Sequence, residues 1–115
     1  AYLIDANLIV ADLISAYLIL ADLRRAYLSG ADLFWAHLDS ANLRAATLWE
    51  VNLFFANLKD ARDLTQEQLS MVKTLHGATM MDGTVYNPEV HTDITLLRKE
   101  KGLNDGNTSP IKIVI

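Results

Sequence analysis

The chain has 115 residues, 51% of them apolar, and carries 14 acidic against 10 basic groups for a formal charge of −4. That is one domain's length with enough apolar matter for a core, which excludes global disorder; the mild acidic excess argues against a nucleic-acid or anionic-membrane surface, which needs clustered Lys and Arg. There is no cysteine, so disulfide staples and thiolate metal sites are excluded and the redox compartment stays open.

The first residues, AYLIDANLIVADLISAYLILADLRR, place a leucine at every fifth position and an alanine two before it. Ala1 is already in phase with this rhythm, so we expect chain upstream or processing, and no targeting signal is legible. Residues 3–23 have the length and apolarity of a membrane span. Asp5, Asn7, Asp12 and Ser15 interrupt them, however, and an aspartate near the centre of a spanning helix costs ~2.5–3.5 kcal/mol. The rhythm also continues far past residue 23, and we expect no membrane span.

Twelve such pentads run from residue 1 to residue 60. Each has leucine third and alanine first, except that Val51 takes one first place. The second place is mostly Asp or Asn, with Tyr2, Tyr17, Tyr27, His37 and Thr47 as variants. In extended chain, residues two apart share a face, so the alanine and leucine of one pentad point the same way. The next leucine is an odd step on and would face the other way unless the chain turned. A helix fails as well: five steps of 100° would spiral the leucines around its axis. A corner at each pentad keeps them all inward, and if the corner is about 90°, four pentads make one coil that stacks at strand spacing, roughly 4.7–4.9 Å. No pentad can bury its leucine alone, but stacked coils can. Asp and Asn suit the outward second place because their short side chains bond nearby backbone in turns.

The segments ADLIS, ADLRR, ADLFW and ANLRA resemble the pentapeptide-repeat family, whose signature is A(D/N)LXX. The resemblance implies an all-β solenoid: a right-handed quadrilateral β-helix of about three four-sided coils, with a C-terminal α-helical cap and an irregular tail. The handedness comes from the resemblance alone. We expect the repeat block over 1–64, a capping helix and returning segment over 65–88, and a short helix and flexible tail over 89–115.

The rhythm breaks at ARDLTQEQLSMVKTLHG. Thr65 and Gln68 have capping-box spacing, and Leu69, Val72 and Leu75 recur at helical intervals before Gly77. These predict an amphipathic helix over 66–76, lying as a lid on the last coil, whose open edges would otherwise invite aggregation. Ala78-Thr79-Met80 echoes a pentad, Asp82-Gly83 marks a turn, and this GAT…DGT segment resembles the ends of cyanobacterial-type family members. Asp93 is expected to cap a helix over 94–101. GLNDGNTSP reads as loop, and the final IKIVI is β-prone.

Stacking puts residues twenty apart in one column. Ile14, Phe34 and Phe54 then form one outward column and Trp35 and Phe55 share the next, an aromatic wall that is the candidate protein-contact patch. A tail folded back over it, or aromatic ladders that merely support stacking, are the competing readings. The first coil carries Ile4, Ile9, Val10, Ile19 and Leu20 at outward positions, a candidate contact surface for self-association. Arg24, Arg25 and Arg44 make a small basic spot, read as a solvated charge cluster.

Chemistry-bearing motifs are sparse. A column packed with Leu and Ala leaves no pocket, and GxSxG, P-loop and GxGxxG patterns are missing. His37 with Asp39, and His91 with Asp93, read as surface pairs, and Asn107-Thr108-Ser109 is a formal sequon. We expect no enzyme, cofactor, metal or small-molecule substrate, but a non-catalytic structural or protein-interaction module with an unidentified protein partner or self-association. The alternative is a DNA mimic that binds gyrase, as some relatives do. It fits poorly, because Asp5, Asp12, Asp22, Asp32, Asp39, Glu50 and Asp60 are offset by Arg24, Arg25, Arg44 and Lys59. The leading compartment is the cytoplasm, with thylakoid lumen or periplasm as alternatives.

Overall fold

The structure is a computed structural model that describes residues 1–103. Every pentad turns in the same way. Its leucine carbonyl accepts a hydrogen bond from the N–H of the next alanine, as between Leu13 and Ala16 at 3.0 Å. The third residue of that turn, fifth in the pentad, lies in the left-handed region: φ is 57–62° at Asp5, Val10, Ser15, Leu20 and Arg25. A positive φ there, after a residue with negative φ, is the type II arrangement.

These corners set residue i over residue i+20. Parallel bridges join Tyr2 to Asp22, Asn7 to Tyr27, Asp12 to Asp32 and Tyr17 to His37, and the same step continues to Asn42 and Arg62. Bonds run both ways between turns: Asp22 N–H donates to the Ala1 carbonyl at 2.9 Å and Leu3 N–H to the Asp22 carbonyl at 2.8 Å. The result is a repeat β-helix. It differs from an all-β fold of continuous strands, because among the described residues every bridge is isolated: corners five residues apart leave one bridged residue per side.

The leucines and alanines fill the axis. Leu23, Leu28, Leu33, Leu38, Leu43, Leu53 and Leu58 are at most 1% exposed, and burial of each is worth ~1.5–3 kcal/mol. Leu3, Leu8 and Leu13, in the first turn, are only partly buried. Outward second-place Asp and Asn bond the N–H two residues on: Asp32 Oδ1 accepts from Phe34 N–H at 3.1 Å, and Asn52 Oδ1 from Phe54 N–H at 2.9 Å.

The repeat breaks where Asp63 (φ 56°) takes the leucine's place and Leu64 packs on the core instead. Helix α1, Gln66–Leu69, follows with the predicted capping box: Thr65 Oγ1 accepts from Gln68 N–H at 3.1 Å and Gln68 Oε1 from Thr65 N–H at 2.9 Å. The Gln68 Nε2 group also donates to the Leu43 and Ala46 carbonyls at 2.8 and 3.0 Å, tying α1 to the turn above.

The helix expected over 66–76 is therefore corrected to four residues. The reason lies in the N–H groups of the preceding turn, which need acceptors. Glu50, Leu53 and Phe55 donate to the carbonyls of Met71, Thr74 and His76 at 2.9, 3.2 and 3.0 Å; a helix continued through residue 76 would have spent the Met71 carbonyl on its own ladder and turned those of Thr74 and His76 along its axis, away from the turn above. The chain thus resumes the ladder after α1 with a step of 22, Asn52 bridging Thr74 and Asn57 bridging Thr79. Leu75, Ala78 and Met80 fall on the inward places of Leu53, Ala56 and Leu58 and are buried.

Asp82-Gly83 forms the predicted turn, with Asp82 Oδ1 accepting from Thr84 Oγ1 at 2.6 Å, and Val85 returns antiparallel to Thr79. Helix α2, Thr92–Glu100, starts two residues earlier than predicted. Its N-cap is His91, which makes no side-chain cap bond. Asp93 is not the cap but sits in the first turn, where the helix dipole favours an acid. Ile94 and Arg98 are buried, and Arg98 donates to the carbonyls of Leu69, Val72 and Lys73 at 3.3, 2.7 and 3.2 Å. Among the described residues no helix is long and apolar enough to cross a membrane. The IKIVI segment, most of the GLNDGNTSP loop and the sequon at Asn107 lie outside the described residues.

Candidate interaction surface

The twenty-residue step brings the expected aromatic residues together at one corner. The Trp35 and Phe34 rings stack with centroids 5.1 Å apart and planes 9° from parallel. Phe34 lies 5.6 Å from Phe54, and Phe54 meets Phe55 edge-on at 4.7 Å. Trp35 is 55% and Phe55 45% exposed, and Ile14 is exposed at the top of the column, while Phe34 and Phe54 are half-buried between their neighbours. Left-handed backbone at Trp35 and Phe55 (φ 59° and 57°) turns their side chains off the corner, and Asx bonds from Asp32 and Asn52 fix the residues before them.

The corner extends further than the sequence suggested. His76 continues the Phe54 column, 5.1 Å from Phe54 and 5.9 Å from Phe55. Gly77 follows under Phe55, where an added Cβ would lie 2.5 Å from that ring. Beside them runs a depression of ≈ 460 Å³ lined by Phe55, His76, Gly77, Val85, Tyr86, Asn87 and Pro88. Its far wall is held by the Tyr86 hydroxyl, 3.0 Å from Thr95 Oγ1, and by His91 stacked on Tyr86 at 5.4 Å. Sequence reasoning missed these residues because the column shifts by two after α1; the Ala78-x-Met80 spacing was the signal that the ladder resumes.

At the first coil, Ile9, Val10, Ile19 and Leu20 are exposed and Ile4 is half-buried. Most of the remaining candidates bond to or pack on a neighbour, although Asp39 Oδ1 is buried with no hydrogen-bond partner among the described residues. Asp39 Oδ2 accepts from Asn57 Nδ2 at 3.0 Å and His37 packs on Tyr17 at 4.9 Å. His91 Nδ1 accepts from Asn87 N–H at 3.0 Å. Among the described residues no three His, Cys, Asp or Glu side chains converge as metal ligands do. Arg24 forks onto Asp22 at 2.8 and 2.7 Å, and Arg25 onto Asp5 at 2.9 and 3.1 Å. These bonds hold both carboxyls below the ordinary aspartate range and raise the two guanidinium groups.

A stack with a filled axis and an apolar corner belongs to the class of solenoid repeat modules. The family model for pentapeptide repeats matches in eight copies over residues 1–38 and 31–62, more than half the chain, and the chain belongs to that family. Among solved structures it is similar to HetL, a pentapeptide repeat protein involved in heterocyst differentiation regulation from the cyanobacterium Nostoc sp. strain PCC 7120. The two are 26% identical over 75% of this chain and 52% of HetL, with a TM-score of 0.29; this chain thus spans about half of that protein. No curated protein matches the chain.

Proposed function

We propose that the chain is a non-catalytic interaction module: a right-handed, four-sided β-helix of about three coils over 1–64, closed by 65–88 and followed by 89–115, which presents an aromatic corner to a protein partner. The observation that carries this reading is the unbroken ring contact from Trp35 through Phe34, Phe54 and Phe55 to His76 on a rigid post. Contiguous exposed aromatic area of this kind marks interfaces. The non-catalytic part is supported by the family, which is one of structural repeats, and by an axis filled with leucine and alanine. The outward residues Ile4, Ile9, Val10, Ile19 and Leu20 form a second contact surface, for self-association.

The test is capture of a partner from the native cell by the wild type and by Phe34→Ser/Trp35→Ser/Phe54→Ser, compared side by side. The triple variant is expected to lose a partner that the wild type holds while keeping its far-UV spectrum; undiminished capture contradicts the reading. The gyrase-mimic alternative would require a continuous acidic wall, whereas Asp5 and Asp22 are paired with arginine. We expect no effect on gyrase supercoiling, and inhibition would reverse that order.

A further inference from the structure

Away from the aromatic corner, three guanidinium groups converge on the side made by the pentads that begin at Ala1, Ala21 and Ala41. Arg24 and Arg44 follow each other in the fourth-place column, and Asp5, Arg25 and Ala45 in the fifth. Arg24, Arg25, Arg44 and Ala45 line a depression of ≈ 300 Å³. Ala45, which follows Asp5 and Arg25, is the shortest side chain in its column and leaves space between the arginines.

The three arginines are not equivalent. Arg24 and Arg25 each spend Nε and one N–H of Nη2 on a carboxylate. That fixes two planar groups in place and leaves their Nη1 donors without a partner among the described residues. Arg44 makes no side-chain hydrogen bond among the described residues, and no carboxylate lies within ion-pair distance of it there, so its whole fork is unspent. Asp63, on the next turn, lines the neighbouring depression, which shares Arg44 and Ala45 with this one, but is outside ion-pair distance of Arg44. Two held guanidinium groups and one free one around this depression suit a compact oxyanion with several acceptor oxygens. A single carboxylate would engage only one fork.

We propose that Arg24, Arg25, Arg44 and Ala45 form a binding site for a phosphate dianion, free as inorganic phosphate or carried as the monoester of a phosphorylated side chain. Arg44 supplies the uncompensated charge and bidentate bonds; Arg24 and Arg25 add one Nη1 donor each; Ala45 provides the room.

The experiment is an NMR titration of the arginine Nε–Hε signals and the Ala45 amide at constant ionic strength. The probes are inorganic phosphate, a phosphoserine peptide and a single-stranded oligonucleotide, with chloride as reference. Saturable shifts with phosphate are expected. Arg44→Gln should weaken binding about tenfold. Ala45→Met, which fills that space and leaves every charge in place, should weaken it similarly; both positions are exposed, and an unchanged far-UV spectrum verifies the fold of each variant. Tighter binding of the phosphoserine peptide than of phosphate identifies the source as a modified side chain, and equal binding identifies free phosphate. Shifts no different from those of chloride, unchanged affinity in both variants, or an oligonucleotide that outcompetes both phosphate and the phosphoserine peptide would overturn the proposal.

Discussion

Val10 holds the left-handed backbone of a pentad's fifth place, with φ at 60°, although its branched Cβ makes that region costly. Asn tolerates the same backbone, so Val10→Asn should raise stability by about 1 kcal/mol in chemical denaturation. A loss of stability would mean that the corner is not held at positive φ. The second residue-scale prediction concerns Asp5 and Asp22. Each accepts a fork from arginine and titrates below its ordinary value of 3.8. A depressed carboxyl stabilises the fold fully above its unfolded pKa and loses that contribution as pH falls through the folded one. The effect therefore belongs below about pH 4, and Arg25→Gln should return the Asp5 carboxyl to the ordinary range in an NMR titration. At this scale the sequence was legible where side chains repeat for a local reason: Asp and Asn at second places announced bonds to nearby backbone, and the structure puts those bonds on the N–H two residues on. It was silent at fifth places. Asp, Val, Ser, Leu, Arg, Trp and Phe all occupy the same left-handed corner there, because the stack imposes the conformation whatever the side chain prefers.

At the scale of elements, the end of the stack depends on a few side chains that reach backbone. Gln68 serves the capping box and two carbonyls of the turn above, so Gln68→Ala should cost ~1–3 kcal/mol, more than an isolated cap. Arg98→Met keeps most of the buried volume but strands the carbonyls of Leu69, Val72 and Lys73. We expect a loss of ~1–3 kcal/mol in thermal or chemical unfolding, with α2 released first. Gly77→Ala meets both a φ of 72° and the Phe55 ring; it should destabilise the fold and shift the Phe55 and His76 ring signals. The capping box of α1 was readable from Thr65 and Gln68, but the helix's end was not. Leu69, Val72 and Leu75 are spaced as in a helix, and only the unpaired N–H groups of Glu50, Leu53 and Phe55, invisible in a linear reading, draw the chain back into the ladder. The same competition hid His76 and Gly77 from the aromatic corner, since a helix over 66–76 would have placed them elsewhere.

At the scale of the molecule, the account rests on a twenty-residue register that turns a five-residue rhythm into a filled axis. Parity of the leucine spacing foretold the turn at each pentad, because no straight element keeps an odd repeat on one face; the step of twenty, and with it the column of Phe34 and Phe54, needed the further expectation of a corner near 90°. Leu33, 1% exposed in the middle of the axis, should cost about 3–5 kcal/mol when replaced by alanine. The register is tested most directly by amide hydrogen exchange over residues 21–43. There the first, second, third and fifth N–H of each pentad donate to backbone. The fourth donates only to its own Asp or Asn side chain, at Arg24 and Phe34, or to no partner among the described residues, at Ser29 and Asp39. The account predicts protection with a period of five, broken at residues 24, 29, 34 and 39, with residues 29 and 39 the fastest. Unbroken protection across this stretch, or a period of three to four, would contradict it.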